Sequence, residues 1–333
     1  SAITGITANS PITRTLQQKI DDFASVKDFG AKGDGTTDDT AAINRALSEL
    51  YTRASNSEIR RSLYFPAGTY VVTDVIKIPT FAKLVGEGHN SSIIKGTSAT
   101  PDCVAMTSDS LQQIDGSIGN SSATLPGNVN IDGLTFFASV DTVDSFVVNQ
   151  AQTMTFTNCR FQGFQTSVPT AVGNSAATLQ LESSATRKSQ HIHFLGCTFT
   201  SANLLVDADH DMDSITFSGC QFDTAFKGFK IGQTISGSAP SVAGPQGVTV
   251  TNSVFDDIYN QAIHLFNGPG FTSAFNTFKD VGNNNLGSGN ASTDVVTFAA
   301  NDSQSIGDVF DRPDSDLTTA ISRVSADVNK KNL

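Results

Sequence analysis

Three stretches decide the fold: Met154-Thr-Phe-Thr-Asn-Cys-Arg-Phe161, Ile192-His-Phe-Leu-Gly-Cys-Thr-Phe199 and Ile215-Thr-Phe-Ser-Gly-Cys-Gln-Phe222. Each reads φ-x-φ-x-x-C-x-F, with three cysteines on one register. Val129 to Phe136 opens the series with Leu134 in the cysteine position. Val248 to Phe255, Phe271 to Phe278 and Ser303 to Phe310 continue it, losing the apolar start while keeping the phenylalanine. In each copy two residues at period two point inward, the chain bends, and two more point inward, which is a strand, a corner and a second strand. Successive phenylalanine anchors lie 25, 38, 23, 33, 23 and 32 residues apart, so a minimal turn is about 23 residues and alternate turns carry insertions. Self-similarity of this kind is the signature of a solenoid.

After each anchor comes a further apolar pair: Phe146 and Val148, Leu179 and Leu181, Leu204 and Val206, Phe229 and Ile231, Ile263 and Leu265, Val296 and Phe298. The core is therefore walled on more than one side. A leucine-rich repeat matches Met154 to Phe161 locally, but it keeps a regular 20–29-residue period and places Leu where Phe dominates here. The fold expected is all-β: a right-handed single-stranded parallel β-helix with an N-terminal capping helix. Residues 1–25 read as a stem or linker, 26–311 as the β-helix with its cap (helix about 38–52), and 312–333 as a C-terminal cap or the start of a trimerisation segment. In that last stretch Leu317, Ala320, Ile321 and Val324 stand at helical spacing.

The N-terminal third is more specific. Val26-Lys-Asp-Phe-Gly-Ala-Lys-Gly-Asp-Gly-Thr-Thr-Asp-Asp-Thr-Ala-Ala-Ile43 reads as a strand, a glycine turn and a helix opened by a Thr36-x-x-Asp39 capping box, with Ile43, Leu47 and Leu50 on the apolar face. A solenoid end exposes strand edges and core, and a helix laid across it covers both. The glycine run lacks the dinucleotide fingerprint and the Lys-Ser/Thr of a P-loop, so it is a turn. Leu63 to Tyr70 and Ala82 to Lys95 follow as strands between Pro and Gly turns. Together with Arg14 to Ala31, this set resembles the opening module of the pectate-lyase-3-like β-helix superfamily, phage tailspikes in particular. The resemblance covers residues 14–95 closely and the remainder as a coil pattern. It implies a homotrimeric virion tail protein, made in the bacterial host cytoplasm and joined to other tail proteins, that binds a capsule or O-antigen polysaccharide and in many members depolymerises it. No catalytic motif is carried over.

Composition bounds the alternatives. A net charge of −11 argues against nucleic acid, whose phosphates demand Lys and Arg. No apolar run approaches a membrane span, and Ser1 to Ser25 has no continuous apolar core of the kind a leader needs. Four cysteines without a Cys-x-x-Cys pair suggest free thiols. No metal or other cofactor is called for: Asp207-Ala-Asp-His-Asp-Met-Asp213 lacks the glycine and terminal Glu of an EF-hand loop, and His191 and His193 share a face with no third ligand.

Outward side chains of a β-helix stack in rows about 4.8 Å apart. Aligning Val148, Leu181, Val206, Ile231, Leu265 and Phe298 as inward positions gives one outward row of Asn149, Glu182, Asp207, Gly232, Phe266 and Ala299. The row on the other side places Lys230 and His264 on successive coils. Stacked carboxylates repel, so one of the pair Glu182 and Asp207 would hold its proton as general acid while the other serves as base or nucleophile. An acid one coil further on, such as Asp209, would approach the wider separation of inverting glycosidases. Asn149, Lys230, His264 and Phe266 would contact the sugar, Phe266 by stacking. The expected activity is hydrolysis of a bacterial surface polysaccharide. A non-catalytic tail or receptor-binding protein is the alternative, favoured by the absence of Trp and by only four Tyr. A polysaccharide lyase using Lys230 with His264 or Tyr259 is the third.

Overall fold

A computed structural model describes residues 15, 24–52, 61–99, 102–108, 125–164, 176–183, 188–208, 212–232, 245–266, 270–282, 294–298, 303–311 and 319–323. Parallel strands stack in three ladders. The first holds ten strands, from Ala24–Ser25 to Gln304–Ile306, and carries the φ-x-φ half of each repeat. The second begins at Asp34–Asp38, holds every phenylalanine anchor and ends at Val309–Phe310. The third runs from Ile76–Lys77 to Thr319–Arg323. The chain visits the ladders in turn, coil after coil, as a right-handed parallel β-helix. Two eleven-residue strands, Thr198–Ala208 and Gln221–Ile231, cross from the second ladder to the third without a break.

The corner between the first and second ladders explains the spacing of the repeat. Gly133, Asn158, Gly196, Gly219, Asn252 and Gly307 all stand there at positive φ, a conformation that favours Gly and Asn. Phe275, φ 56°, is the exception, with an exposed ring. From this corner the amides of residues 133 to 275 reach the next coil, as Asn158 N–H to the Leu195 carbonyl at 3.0 Å and Gly219 N–H to that of Thr251 at 3.0 Å. The residue that follows points inward, and two positions later the phenylalanine does too.

All seven anchors form one column. Phe136, Phe161, Phe199, Phe222, Phe255, Phe278 and Phe310 lie ring on ring, with centroids 4.7 to 5.8 Å apart and planes within 20°. A shorter column, Phe156, Phe194 and Phe217, runs beside it at 4.8 and 4.7 Å. Cys159, Cys197 and Cys220 stack at the corner position as free, buried thiols. A hydrogen bond to Cys197 and burial push the Cys220 thiol up, and burial raises that of Cys197. A thiolate reagent is therefore expected to leave all four cysteines of the native protein unmodified over a period in which the unfolded chain reacts completely, as a thiol count with and without denaturant would show.

Towards the C-terminus the same position turns polar without losing its partners. Ser253 Oγ accepts from Cys220 N–H at 3.0 Å, Asn276 Oδ1 from Ser253 N–H at 2.8 Å and Asp308 Oδ1 from Asn276 N–H at 2.8 Å. Asn276, wholly buried, also donates to the Val250 carbonyl and to Ser273 Oγ. At this position Ser253, Asn276 and Asp308 are thus satisfied by their neighbours.

At the N-terminal end the helix α1, Thr40–Leu47, continues as a wider turn through Ser48–Thr52. Ile43, Ala46, Leu47 and Leu50 join the main core. Asn44 meets the free edge of the third ladder as another strand would: its Nδ2 donates to the Val75 carbonyl at 2.8 Å and its Oδ1 accepts from Lys77 N–H at 2.9 Å. The expected capping box is absent. Asp39 is the N-cap residue without a side-chain cap bond, because its carboxylate turns back to the N–H groups of Lys32 and Gly33 at 2.7 and 2.9 Å. The segment Val26–Phe29, expected as a strand, is a single 3₁₀ turn capped by Ser25. In the C-terminal stretch Thr319–Arg323 is a strand, not a helix, and pairs with Asp294–Phe298 as one more rung. No helix among the described residues is long and apolar enough to cross a membrane.

Candidate active-site cleft

The outer face of the third ladder carries a cleft of about 650 Å³. Its floor follows from register. Met106, Val147, Gln180, Asp207 and Lys230 pair in succession along it, and the register continues past the cleft to His264 and Thr297. At the N-terminal end Val75, Cys103 and Val147, with Met106 against them, make a small apolar patch outside the main core. Beside that patch stands Asp144, in register with Cys103.

Asp144 is the most perturbed acid of the cleft. Burial drives its pKa up to about 7, and the nearby charges of Glu182 and Asp102 push the same way, against a hydrogen bond from Ala177 N–H that favours the carboxylate. That bond, 2.6 Å to Oδ1, fixes the carboxyl group. Burial likewise raises the Cys103 thiol to about 12, so it is an inert neighbour. Glu182 shares the cleft and accepts a hydrogen bond of 2.6 Å from Asn149 Nδ2. The Asn149 amide is itself oriented by Gln150 Nε2, 3.1 Å from its Oδ1. Asp207, 5% exposed, is held by Lys230 Nζ at 3.2 and 3.0 Å to its two oxygens. His264, next after Lys230, stacks on Phe266 with centroids 3.8 Å apart. Burial, and then Lys227, lower its pKa to about 4, leaving the ring neutral at pH 7.

Asn149, Glu182, Asp207 and Lys230 are thus brought to one face, with His264 and Phe266 beyond them, while Asp209 falls outside the described residues. One expected relation is corrected: Glu182 and Asp207 are not stacked neighbours. Leu181 pairs with Ala208 and Gln180 with Asp207, so the row shifts by two residues and Asp207 stands between Gln180 and Lys230. Its charge is matched by Lys230, which makes it a poor acid or base. Asp144 and Asp102 also line the cleft. Asp144 lies two residues before the inward Phe146, a place visible in the sequence but outside the outward rows that follow Phe146. Among the described residues no three His, Cys, Asp or Glu side chains gather as metal ligands, and His191 and His193 remain on the outer side of the first ladder.

Three ladders of parallel strands, visited in turn by the chain, make a β-helix of the pectate-lyase-like kind. The chain belongs to the rhamnogalacturonase A/epimerase, pectate lyase-like family, which matches residues 23–289. A stretch of 91 residues, 26% of this chain and 10% of the relative, is 41% identical to a probable glucan endo-1,3-beta-glucosidase of Arthroderma benhamiae. Another of 71 residues, 21% of this chain and 7% of the relative, is 38% identical to the pre-neck appendage protein of Bacillus phage phi29. The chain therefore spans a tenth or less of these relatives. Tailspike protein 2 of the Escherichia coli O157:H7 bacteriophage CAB120 superposes with a TM-score of 0.54 at 10% identity, over 91% of this chain and 41% of that one. That likeness is one of fold.

Proposed function

We propose that the chain is the β-helix body of a tailspike-like virion protein that binds a bacterial surface polysaccharide in this cleft and hydrolyses it, working as a homotrimer joined to other tail proteins. The observation that carries the catalytic part is Asp144, a carboxyl group still half protonated near pH 7 beside the second acid Glu182. A general acid works best with a pKa near the working pH. Asp144 donates its proton to the leaving glycosidic oxygen, and Glu182, positioned by Asn149, acts on the opposite side as base or nucleophile. The relatives named as a glucanase and as a phage appendage support the substrate class and the setting.

A lyase is the weaker reading, because Lys230, one of the residues it would use, is tied to Asp207. A purely adhesive role gains support from the absence of Trp. Incubation with host capsule or O-antigen separates the three. New reducing ends without absorbance from unsaturated sugars are expected; both together indicate a lyase, and binding with neither indicates adhesion. Glu182→Gln is expected to lower the hydrolysis rate by about 10²–10⁴ with the oligomeric state unchanged. Full activity in that variant removes Glu182 from the mechanism.

A further inference from the structure

The corner between the first and second ladders is unlike the rest of the surface. Its spacing, φ-x-φ-x-x-C-x-F, is the same in all seven repeats, so the extra residues of the longer coils fall elsewhere and this edge runs straight along the solenoid. It is also uncharged. From Leu195 to Val309 three rows follow it: the last residue of each first-ladder strand, the corner residue, and the first residue of each second-ladder strand. In a chain with 32 acids and 21 bases, none of these residues is Asp, Glu, Lys or Arg. The adjoining outward row of the first ladder, through Thr155, His193, Thr216, Thr249 and Thr272, has none either. Towards the C-terminal end the edge turns apolar. Phe275 is 63% exposed and Val309 58%, with Val254, Ala274 and Ile306 on the same three rows. Phe275 stands at φ 56° where the other corner residues are Gly or Asn, a conformation that disfavours a bulky side chain. Its ring lies against Gly307, the corner residue of the next coil, where an added methyl group would come within 2.7 Å of two ring carbons. An unfavourable backbone and a glycine seat thus hold this ring outward on the edge.

We infer that this edge is the seam along which copies of the chain meet around a three-fold axis parallel to the solenoid, with Phe275 and Val309 of each copy facing the axis. The inference rests on the homotrimer proposed above and names the surface that makes it. Parallel copies set every residue level with its own counterpart, so a charge on the seam would face a like charge. A protein of net charge −11 therefore closes on itself most readily along a strip free of charge. An unlike partner is under no such restriction and is met by complementary charges. The core of a subunit interface is likewise depleted in charged residues and enriched in aromatic ones. In a coil of three sides the corner shared by two lies opposite the third. The cleft on the third ladder then faces away from the axis, and each copy's cleft is built from its own residues.

The test is sedimentation equilibrium of the full chain and its variants. Wild type is expected to be a trimer at micromolar concentration. Phe275→Asn, which restores the residue used at corners 158 and 252, is expected to fold as wild type does and to raise the dissociation constant about thirtyfold or more, as loss of a buried interface aromatic does. Thr277→Lys, in register between Val254 and Val309, is expected to give monomers. Thr224→Lys, an exposed position where Gln221–Ile231 passes from the second ladder to the third, is expected to leave the trimer intact. Val309→Cys, at an exposed site, supplies a measurement that needs no weakened variant: a short bismaleimide is expected to join copies into covalent dimers while the four native thiols stay buried. Assembly of Phe275→Asn or Thr277→Lys as tight as wild type, or no cross-link of Val309→Cys within an intact trimer, overturns the seam and leaves the trimer standing. A wild-type monomer overturns both and leaves the edge to an unlike partner; a wild-type dimer overturns the three-fold arrangement. Absence of hydrolysis in an intact, seam-dependent trimer removes the catalytic reading and leaves the seam.

Discussion

Replacing Asp144 with asparagine is expected to silence hydrolysis and at the same time make the protein more stable at neutral and alkaline pH. The first effect follows from loss of the proton donor, worth about 10²–10⁴ in rate. The second follows from linkage. Burial holds the folded pKa near 7, against an ordinary value of 3.8, so between those two values the native state binds a proton that the unfolded chain has released. The contribution of Asp144 to stability is whole below pH 4, declines as pH rises and is gone above 7. A shift of about three units corresponds to about 4 kcal/mol. Asparagine carries no charge to bury, and its side-chain oxygen can still accept from Ala177 N–H. Wild type and variant should then unfold alike at pH 4 and separate progressively towards pH 8, with the variant the more stable. Titrating groups that do not face Asp144 are common to both proteins and cancel in the difference, and Glu182 and Asp102, which do face it, lose a like charge in the variant and so act in the same direction. A difference that does not change with pH would mean that Asp144 is ionised throughout and is no acid catalyst.

Phe217→Ala should cost about 3–5 kcal/mol, the usual range for a large buried aromatic side chain. Phe217 is wholly buried and touches rings on all sides: Phe194 stacked at 4.7 Å, Phe229 edge-on at 5.0 Å, Phe199 and Phe222 at 5.8 and 5.9 Å. None of these neighbours can fill the void, since each is held in its own coil by backbone pairing above and below. Phe310 makes the contrast. It ends its column, is only partly buried and has a stacking partner on one side, Phe278 at 4.8 Å. Its alanine variant should lose less than half as much. Denaturant midpoints of the two variants, measured with unchanged slopes, check the ranking.

Much of the fold was legible because period two is unforgiving: a strand displaced by one residue exchanges core for solvent. Phe156, Phe161, Phe194 and Phe199 could be placed inside from spacing alone, and so could the cysteines between them. The candidate cleft was less legible, and the reason is local. Alignment of the third ladder relied on the last large apolar residue of each rung, which works where the rung ends on Val148, Leu181 or Ile231. In Thr198–Ala208 the last inward residue is Ala208, 2% exposed but small enough to look neutral in a sequence. Val206 presents itself as the end of the rung instead, and everything outward of it shifts by two residues along the strand. No turn separates the two halves of that strand, so no glycine or asparagine marked where counting should restart. The capping box failed for a different reason: Asp39 had a better use, closing the glycine turn through two backbone amides, than capping its own helix.

Because each coil offers its neighbours above and below the same mating surface, the body behaves as a ruler graduated in rungs. Duplication or loss of one coil between Glu182 and Lys230 would leave the stacked core compatible while moving the acids and the cations apart or together by one graduation, about 4.8 Å. Distances between points on its surface therefore change in whole steps, and a lineage of such proteins can re-space its contacts to a new repeating polymer without redesigning either end.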